Sequence, residues 1–185
     1  MGLEIERKFL LKNSQILDFL KEAGVVFKHL EISQFYTKIT QNEEIRFRSE
    51  EGKSIKTIKV GKDLIREENE EFCEKAEFKK ALKSRIGHVI TKDRYIFRLN
   101  NNPCNIDVFK DDLNGLCTFE IEFSDENEAV YFKLPSFLEQ FCQADVTCDK
   151  RYKNKFLAIH ANENEQIDYK RAYNVFKNKE ISPNF

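Results

Sequence analysis

Charged and apolar side chains alternate along several short segments of this chain, and this alternation limits the possible folds more than any other feature. The first such segment, EIERKFLL, places Glu4, Glu6 and Lys8 on one face of an extended strand and its apolar residues on the other. Taken alone, the pattern is typical of an antiparallel strand with one face in water.

The same alternation recurs along most of the chain. Turn residues separate the segments, so we predict eight strands at about residues 4–11, 26–39, 44–50, 54–60, 65–72, 89–99, 105–109 and 118–123. Apolar residues at helical spacing predict helices after the first strand, from about 127 to 142 with an interruption at Pro135, from about 150 to 160, and in the tail.

The charged faces of the predicted strands carry carboxylates and cations in equal measure. The acids are Glu4, Glu6, Glu68, Glu70, Asp107, Glu120 and Glu122, and the bases are Lys8, Arg46, Arg48, Lys59, Arg66, Lys92 and Arg94. On an open sheet these side chains would face water, whereas in a closed sheet they would share a lumen. Mixed charge in a lumen is unfavourable unless the charges are paired, bound to metal or bound to a charged ligand.

A polyphosphate with a divalent metal would satisfy both sets of charges. Arginine and lysine bind phosphate oxygens, and carboxylates hold hard cations such as Mg²⁺ or Mn²⁺. The chain has no glycine-rich phosphate loop, so side chains rather than backbone amides would hold the phosphates.

Composition excludes several other classes of function. The 31 Lys and Arg residues nearly balance the 32 Asp and Glu residues, so no overall field favours nucleic acid or an acidic membrane. The N-terminus lacks the order of a signal peptide and no apolar run is long enough to span a bilayer, so we expect a soluble cytoplasmic protein. The five cysteines form no CxxC pair and indicate neither a disulfide framework nor a zinc site.

These residues resemble the CYTH superfamily, also called triphosphate tunnel metalloenzymes, whose hallmark is an N-terminal ExExK strand. The hallmark is here Glu4-Ile5-Glu6-Arg7-Lys8, and it is followed in the family's order by QFY, RFR, TIK, RxExE, KDRY, IDVF, EIE and VTCDKRYKNKFLA. The resemblance covers roughly residues 2–160. It implies an α+β fold in which an eight-stranded antiparallel closed β-barrel forms a tunnel, with helices packed outside.

The resemblance also implies roles for individual residues. Metal ligands for Mg²⁺ or Mn²⁺ would be Glu4, Glu6, Glu120 and Glu122, with Asp107, Glu68 and Glu70 supporting a second metal or its water. Phosphate would be bound by Lys8, Arg46, Arg48, Lys59, Arg66, Lys92 and Arg94, and Arg151, with its neighbours Lys150 and Lys153, would add a cation at the tunnel mouth. Lys8 and Tyr36 would orient the attacking water, although Phe35 stands where the family usually has glycine.

The leading functional hypothesis is metal-dependent hydrolysis of a triphosphate group, with inorganic tripolyphosphate as substrate. Thiamine triphosphate, a nucleoside triphosphate, cyclisation of ATP by an adenylate cyclase, and a non-catalytic polyphosphate-binding module remain alternatives. We predict a tunnel domain at residues 1–160 and a helical C-terminal extension at 161–185, whose aromatic residues would form a docking face or a homodimer contact. The expected partner is a small-molecule triphosphate, without nucleic acid or membrane.

Overall fold

Antiparallel pairing joins nine strands into one sheet in the computed structural model. The structure describes residues 5–62 and 65–161, and for residues 62, 65 and 66 it describes only the backbone. The strands are β1 (Ile5–Leu11), β2 (Lys28–Ile39), β3 (Glu43–Glu50), β4 (Lys53–Lys62), β5 (Ile65–Phe72), β6 (Ile86–Leu99), β7 (Asn102–Phe109), β8 (Cys117–Phe123) and β9 (Cys142–Asp145). The helices are α1 (Gln15–Glu22), α2 (Lys75–Lys83), α3 (Glu126–Tyr131), α4 (Ser136–Glu139) and α5 (Asn154–His160).

The sheet has the strand order β5-β4-β3-β2-β6-β7-β8-β1-β9 and curls so that strands from both halves line one cavity. This confirms the predicted α+β architecture of an antiparallel tunnel sheet with helices outside. One detail differs, because β9 extends the sheet to nine strands and no backbone pairing within the described ranges joins β5 to β9. Both edge strands nevertheless lie beside the same cavity.

Two elements were not predicted. Helix α2, with the sequence KAEFKKALK, has five charged residues among nine and no fully buried residue, so its apolar face is small. Strand β9 has only four residues and follows the region predicted as a helix around Pro135. That region, predicted to be helical with an interruption at Pro135, forms two short helices, α3 and α4, and Pro135 lies directly before the second.

Apolar side chains on the outer face of the sheet form the larger core. Phe9 and Phe119 stack with ring centroids 5.9 Å apart, and Ile16 and Leu20 of α1 cover them. Both strand residues follow the period-two pattern of their segments, whereas the helix residues follow the i, i+4 pattern, so each element contributes one apolar face.

A second apolar cluster closes one end of the curled sheet. It joins inner-face residues of β1 and β6, including Leu10 and Ile90, to Leu157 and Ala158 of α5. Helix α5 approaches β6 so closely at Gly87, where φ is +64°, that a Cβ there would lie 2.2 Å from the carbonyl oxygen of Ala158. Only glycine combines this backbone conformation with the close approach. We call this closed side the α5 end.

No helix within 5–62 and 65–161 has the length and apolar character needed to cross a lipid bilayer. The C-terminal extension predicted at 161–185 lies, apart from its first residue, outside the described residues. The predicted domain division, cytoplasmic location and homodimer therefore stay predictions.

Candidate active site

The inner face of the curled sheet encloses a polar cavity of about 640 Å³. Most of the residues that the sequence pattern assigned to a lumen lie on its wall. These are Glu6, Lys8, Tyr36, Arg46, Arg48, Lys59, Glu68, Glu70, Arg94 and Glu120. The charged faces of the strands therefore point towards one another across a shared space.

Three cross-strand rows run along one side of this cavity. Directly opposed residues of β3, β4 and β5 give the rows Glu44–Lys59–Glu68, Arg46–Thr57–Glu70 and Arg48–Ile55–Phe72. The first row lies at the α5 end, because Glu44 forms an ion pair with Lys155 of α5. The other two rows follow in order away from α5, since β3 and β5 run in the same direction.

The middle row is held together by a carboxylate that contacts two arginines. Glu70 Oε1 accepts hydrogen bonds from Thr57 Oγ1 at 2.8 Å and from Arg46 Nη2 at 3.1 Å, and Arg48 Nη2 lies 3.8 Å away. Burial alone would raise the pKa of Glu70, but the Thr57 hydrogen bond and the two guanidinium groups lower it overall. Burial and the charge of Arg46 lower the pKa of Arg48. Two cations thus share one carboxylate, and Arg48 Nε also lies 3.2 Å from Glu50, so the charges of this wall are paired.

The opposite wall rests on the buried carboxylate of Asp107. Lys92 Nζ donates to Asp107 Oδ2 at 2.5 Å, and Arg94 donates to both carboxylate oxygens at 2.7 Å. Burial would raise the pKa of Asp107, but the two cations hold it well below its ordinary value. Full burial, together with repulsion from Arg94, lowers the pKa of Lys92 to about 8 despite its ion pair. Asp107 therefore stays ionised and fixes both cations.

Glu120 continues this network into the cavity. Its carboxylate accepts from Lys8 Nζ at 2.7 Å and from Arg94 Nη2 at 3.2 Å. Burial would raise the pKa of Glu120, yet the charge of Lys8 and that of Arg94 lower it overall. The network contains three cations (Lys8, Lys92 and Arg94) and two carboxylates (Asp107 and Glu120), so its net charge is positive.

Lys8 and Tyr36, predicted as the catalytic pair, both line the cavity. Burial works against the charged form of Lys8, but the neighbouring Glu120 carboxylate raises its pKa overall. Burial raises the pKa of Tyr36, which packs in the apolar cluster at the α5 end. Both groups are therefore protonated at neutral pH. Their role in orienting water stays a prediction.

Four of the predicted residues lie away from the cavity wall. Lys92 and Asp107 are buried behind it, where they fix Arg94. Glu122 is half-buried on β8, directly opposite Glu6 of β1. Arg151 is half-exposed and forms an ion pair with Asp149 at 2.5 Å. Its predicted contribution to substrate binding is not tested by this arrangement.

Two predicted site residues lie outside the description. Glu4 precedes the described residues, and the side chain of Arg66 is not described. The backbone of Arg66 pairs with Gly61 on β4, next to the row that contains Lys59 and Glu68. Their predicted roles in metal and phosphate binding stay predictions.

The carboxylates of Glu6 and Glu122 provide a test of whether the site suits a divalent metal. Directly opposed antiparallel residues have Cβ atoms about 5 Å apart, and like charges in such pairs are destabilising. A divalent cation would relieve this repulsion, and carboxylate oxygens are the donors that Mg²⁺ and Mn²⁺ prefer. No group of three or more metal-binding side chains is preformed among the residues the structure describes. The carboxylate oxygens of Glu6 and Glu122 are therefore suitable ligands for a divalent metal. Glu4, the other carboxylate of the ExExK motif, lies outside the residues that the structure describes.

Comparison with known proteins decides the family. A family model of the CYTH domain matches residues 2–143. This chain belongs to the CYTH domain family. An inorganic triphosphatase from Nitrosomonas europaea is 32% identical to this CYTH chain over 126 residues, which cover 68% of the chain and 81% of that protein. The prediction that the chain belongs to a family containing triphosphatase enzymes is confirmed.

Solved CYTH-like structures agree with this assignment. The crystal structure of an inorganic triphosphatase has a TM-score of 0.63 and 29% sequence identity, and the match covers 86% of this chain and 96% of that one. A Hippeastrum protein, studied as an adenylyl cyclase and described as having a dominant triphosphatase activity, shares the fold with a TM-score of 0.58 at 16% identity. That match covers 74% of this chain and 87% of the Hippeastrum protein.

Lys153, predicted at the tunnel mouth, lies on the cavity wall, and seven further cavity residues of this CYTH protein were not predicted: Glu44, Thr57, Val146, Thr147, Asp149, Asn154 and Lys155. Among these seven, Glu44 and Thr57 lie on strands. The first two share the strand phase of Arg46 and Lys59, so the alternation contained a signal that could have identified them. Thr147 and Lys155 lie outside the strands, in the segment after β9 and in α5. No strand periodicity marks such positions, because hydrogen bonds with Asp145 and with the backbone of Lys8 place Thr147, and the packing of α5 places Lys155.

Acid should destabilise this CYTH protein through its buried carboxylates. Asp107, Glu120 and Glu70 have pKa values lowered by folding, so the unfolded chain binds protons more readily than the native state. Their stabilising contribution is complete above their unfolded pKa values of about 4 and is lost as pH falls towards the folded values. We expect the urea midpoint to be nearly constant between about pH 5.5 and 7 and to fall steadily below about pH 5. A midpoint unchanged down to pH 3 would contradict this assignment of charges.

Proposed function

We propose that this protein is a metal-dependent triphosphatase that hydrolyses inorganic tripolyphosphate inside its cavity. The observation that carries the proposal is the convergence of five cations from four strands on one polar space: Lys8, Arg46, Arg48, Lys59 and Arg94. Inorganic tripolyphosphate is a compact polyanion, and charge-assisted hydrogen bonds to such cations are strong in a partly buried site. The relationship to an inorganic triphosphatase supports the same substrate.

The carboxylates of the cavity wall prepare these cations for substrate. Glu70 holds Arg46, Glu68 holds Lys59 at 2.8 Å, and Asp107 holds Arg94 through two hydrogen bonds. Because the side chains are already oriented, little rotamer entropy is lost when phosphate oxygens bind. The buried Nε of Arg46 has no hydrogen-bond partner among the described residues.

The metal would be held by Glu6, Glu120 and Glu122, together with Glu4. A bound Mg²⁺ or Mn²⁺ would act as a Lewis acid on phosphoryl oxygens and neutralise their charge. In the described structure Glu120 already contacts Lys8 and Arg94, so it can hold a cation while keeping both side chains oriented. A second group of metal ligands was predicted: Asp107, Glu68 and Glu70. In the structure each of these carboxylates contacts a lysine or an arginine, and their metal-binding role stays a prediction.

Phosphate release tests the proposal directly. Purified protein with tripolyphosphate should release phosphate when Mg²⁺ or Mn²⁺ is present, and EDTA should abolish the release. Glu6→Gln should abolish metal-dependent turnover, because it removes a charged donor facing Glu122, whereas Glu126→Gln on the outer helix α3 should leave turnover unchanged. Tight calorimetric binding without phosphate release would instead identify a binding module, and formation of cyclic AMP from ATP would identify a cyclase.

A further inference from the structure

An exposed aromatic ring lies at the rim of the cavity, at the end away from α5. Phe72 is the last residue of β5, and its side chain is 76% exposed. It follows Glu68 and Glu70 at two-residue intervals, so all three share the face of β5 that lines the cavity. The cavity wall ends at Glu70, and Phe72 is the next residue along this face.

The cross-strand neighbours of Phe72 place it beside the phosphate-binding cations. Phe72 is directly opposite Ile55 on β4, and Ile55 is directly opposite Arg48 on β3. The Cβ atoms of such pairs are about 5 Å apart. Arg48 lines the cavity, whereas Ile55 and Phe72 extend the same row as an apolar surface towards solvent.

No ring contact to Phe72 occurs in the part of the chain that the structure describes, although most of the other phenylalanines there pack against another ring. An exposed aromatic residue next to a strongly polar site has a ring face available for stacking. A substituent attached to a bound triphosphate would leave the cavity at this end, because α5 and its apolar cluster close the other end.

We propose that Phe72 is a specificity-determining residue, which stacks on the aromatic ring of an organic triphosphate whose phosphates occupy the cavity. This inference rests on the proposed function, since the phosphates must bind the same cations. Inorganic tripolyphosphate lacks a ring and gains nothing from Phe72. The residue therefore sets the preference between the two substrate classes without contacting the phosphates.

The test compares ATP with tripolyphosphate in the full-length protein. Phe72→Ala should lower the ratio of kcat/KM for ATP to kcat/KM for tripolyphosphate about tenfold, because stacking on one aromatic side chain contributes a factor of this order. Phe72→Tyr should retain the ratio, and Phe72→Leu should lower it, since leucine is apolar but offers no ring face. Tyr131→Ala is the matched control, because Tyr131 is 80% exposed on α3, a helix whose Ala129 carbonyl accepts from Arg7 on the outer face of β1.

Calorimetric binding of ATP and tripolyphosphate separates failure of this inference from failure of the proposed function. If neither compound is hydrolysed, the proposed function is wrong, but a tenfold loss of ATP affinity relative to tripolyphosphate in Phe72→Ala still supports stacking. Equal effects on both compounds, no effect on either, or no binding of ATP by the wild-type protein would overturn the role of Phe72. The role of Phe72 would also be overturned if Phe72→Ala changed only the sedimentation coefficient of the protein and not its affinity for ATP. That result would assign the ring to a contact between two copies of the chain.

Discussion

Asp107→Asn is expected to lower the free energy of unfolding by about 3–5 kcal/mol, because it leaves two buried cations without their shared carboxylate. Lys92 and Arg94 both donate to Asp107, and the side chains of Lys92 and Asp107 are each only 1% exposed. Water cannot reach this pair to replace the lost charge. Urea unfolding followed by circular dichroism at pH 7 measures the change.

Asp93→Asn, on the neighbouring strand β6, is the matched control. Asp93 also forms an ion pair, with Lys110 at 2.8 Å, and its carboxylate lies 3.1 Å from His29 Nε2, but it lies on the outer face. We expect it to lower stability by no more than about 1 kcal/mol, as for exposed ion pairs. Adding Lys92→Met to Asp107→Asn should restore part of the lost stability, since it removes one uncompensated cation. Equal stability of Asp107→Asn and wild type would show that the buried network is not formed in solution.

Arg46→Met should reduce kcat/KM for tripolyphosphate by about 100-fold, because it removes charge-assisted hydrogen bonds to phosphate. Methionine keeps much of the length of the arginine side chain but has no hydrogen-bond donor. Glu70 retains the hydrogen bond from Thr57 and the nearby charge of Arg48. We therefore expect the free energy of unfolding to change by about 1 kcal/mol or less. Steady-state phosphate release and urea unfolding should be measured on the same preparation.

Arg85→Met provides the comparison for this arginine. Arg85 lies exposed between α2 and β6, where Nη1 donates to the carbonyl of Leu82 at 3.3 Å. Its replacement should leave kcat/KM within about twofold, since Arg85 does not line the cavity and one surface contact contributes little. If both variants lose activity equally, the effect of Arg46 reflects overall charge rather than binding in the cavity.

The inward direction of the charged residues could be predicted because it is a local property of a strand. Successive side chains point to opposite faces, so Arg46 and Arg48 share a face whatever the strand pairs with. The cross-strand rows of β3, β4 and β5 show this phase directly. Glu44 follows the same phase, so the alternation marked this residue as well.

The partners of these residues could not be predicted, because they depend on strand register and on the curl of the sheet. Lys8 contacts Glu120 through the pairing of β1 with β8, and Asp107 lies behind the wall rather than on it. Helix α2 was missed because its apolar face is weak, although Phe78 packs against Phe35 at 5.1 Å. Strand β9 was missed because four residues are too short a segment to show a period.

The amino-acid order therefore established which side of each strand is charged, and with it the chemistry that such a surface can bind. The fold alone established that these sides face one cavity, that Asp107 is a buried counter-ion, and that α5 closes one end above Gly87. The physical reason is the range of the interactions involved. Backbone pleating sets the alternation within a few residues, whereas curvature and register depend on packing between segments far apart in the chain.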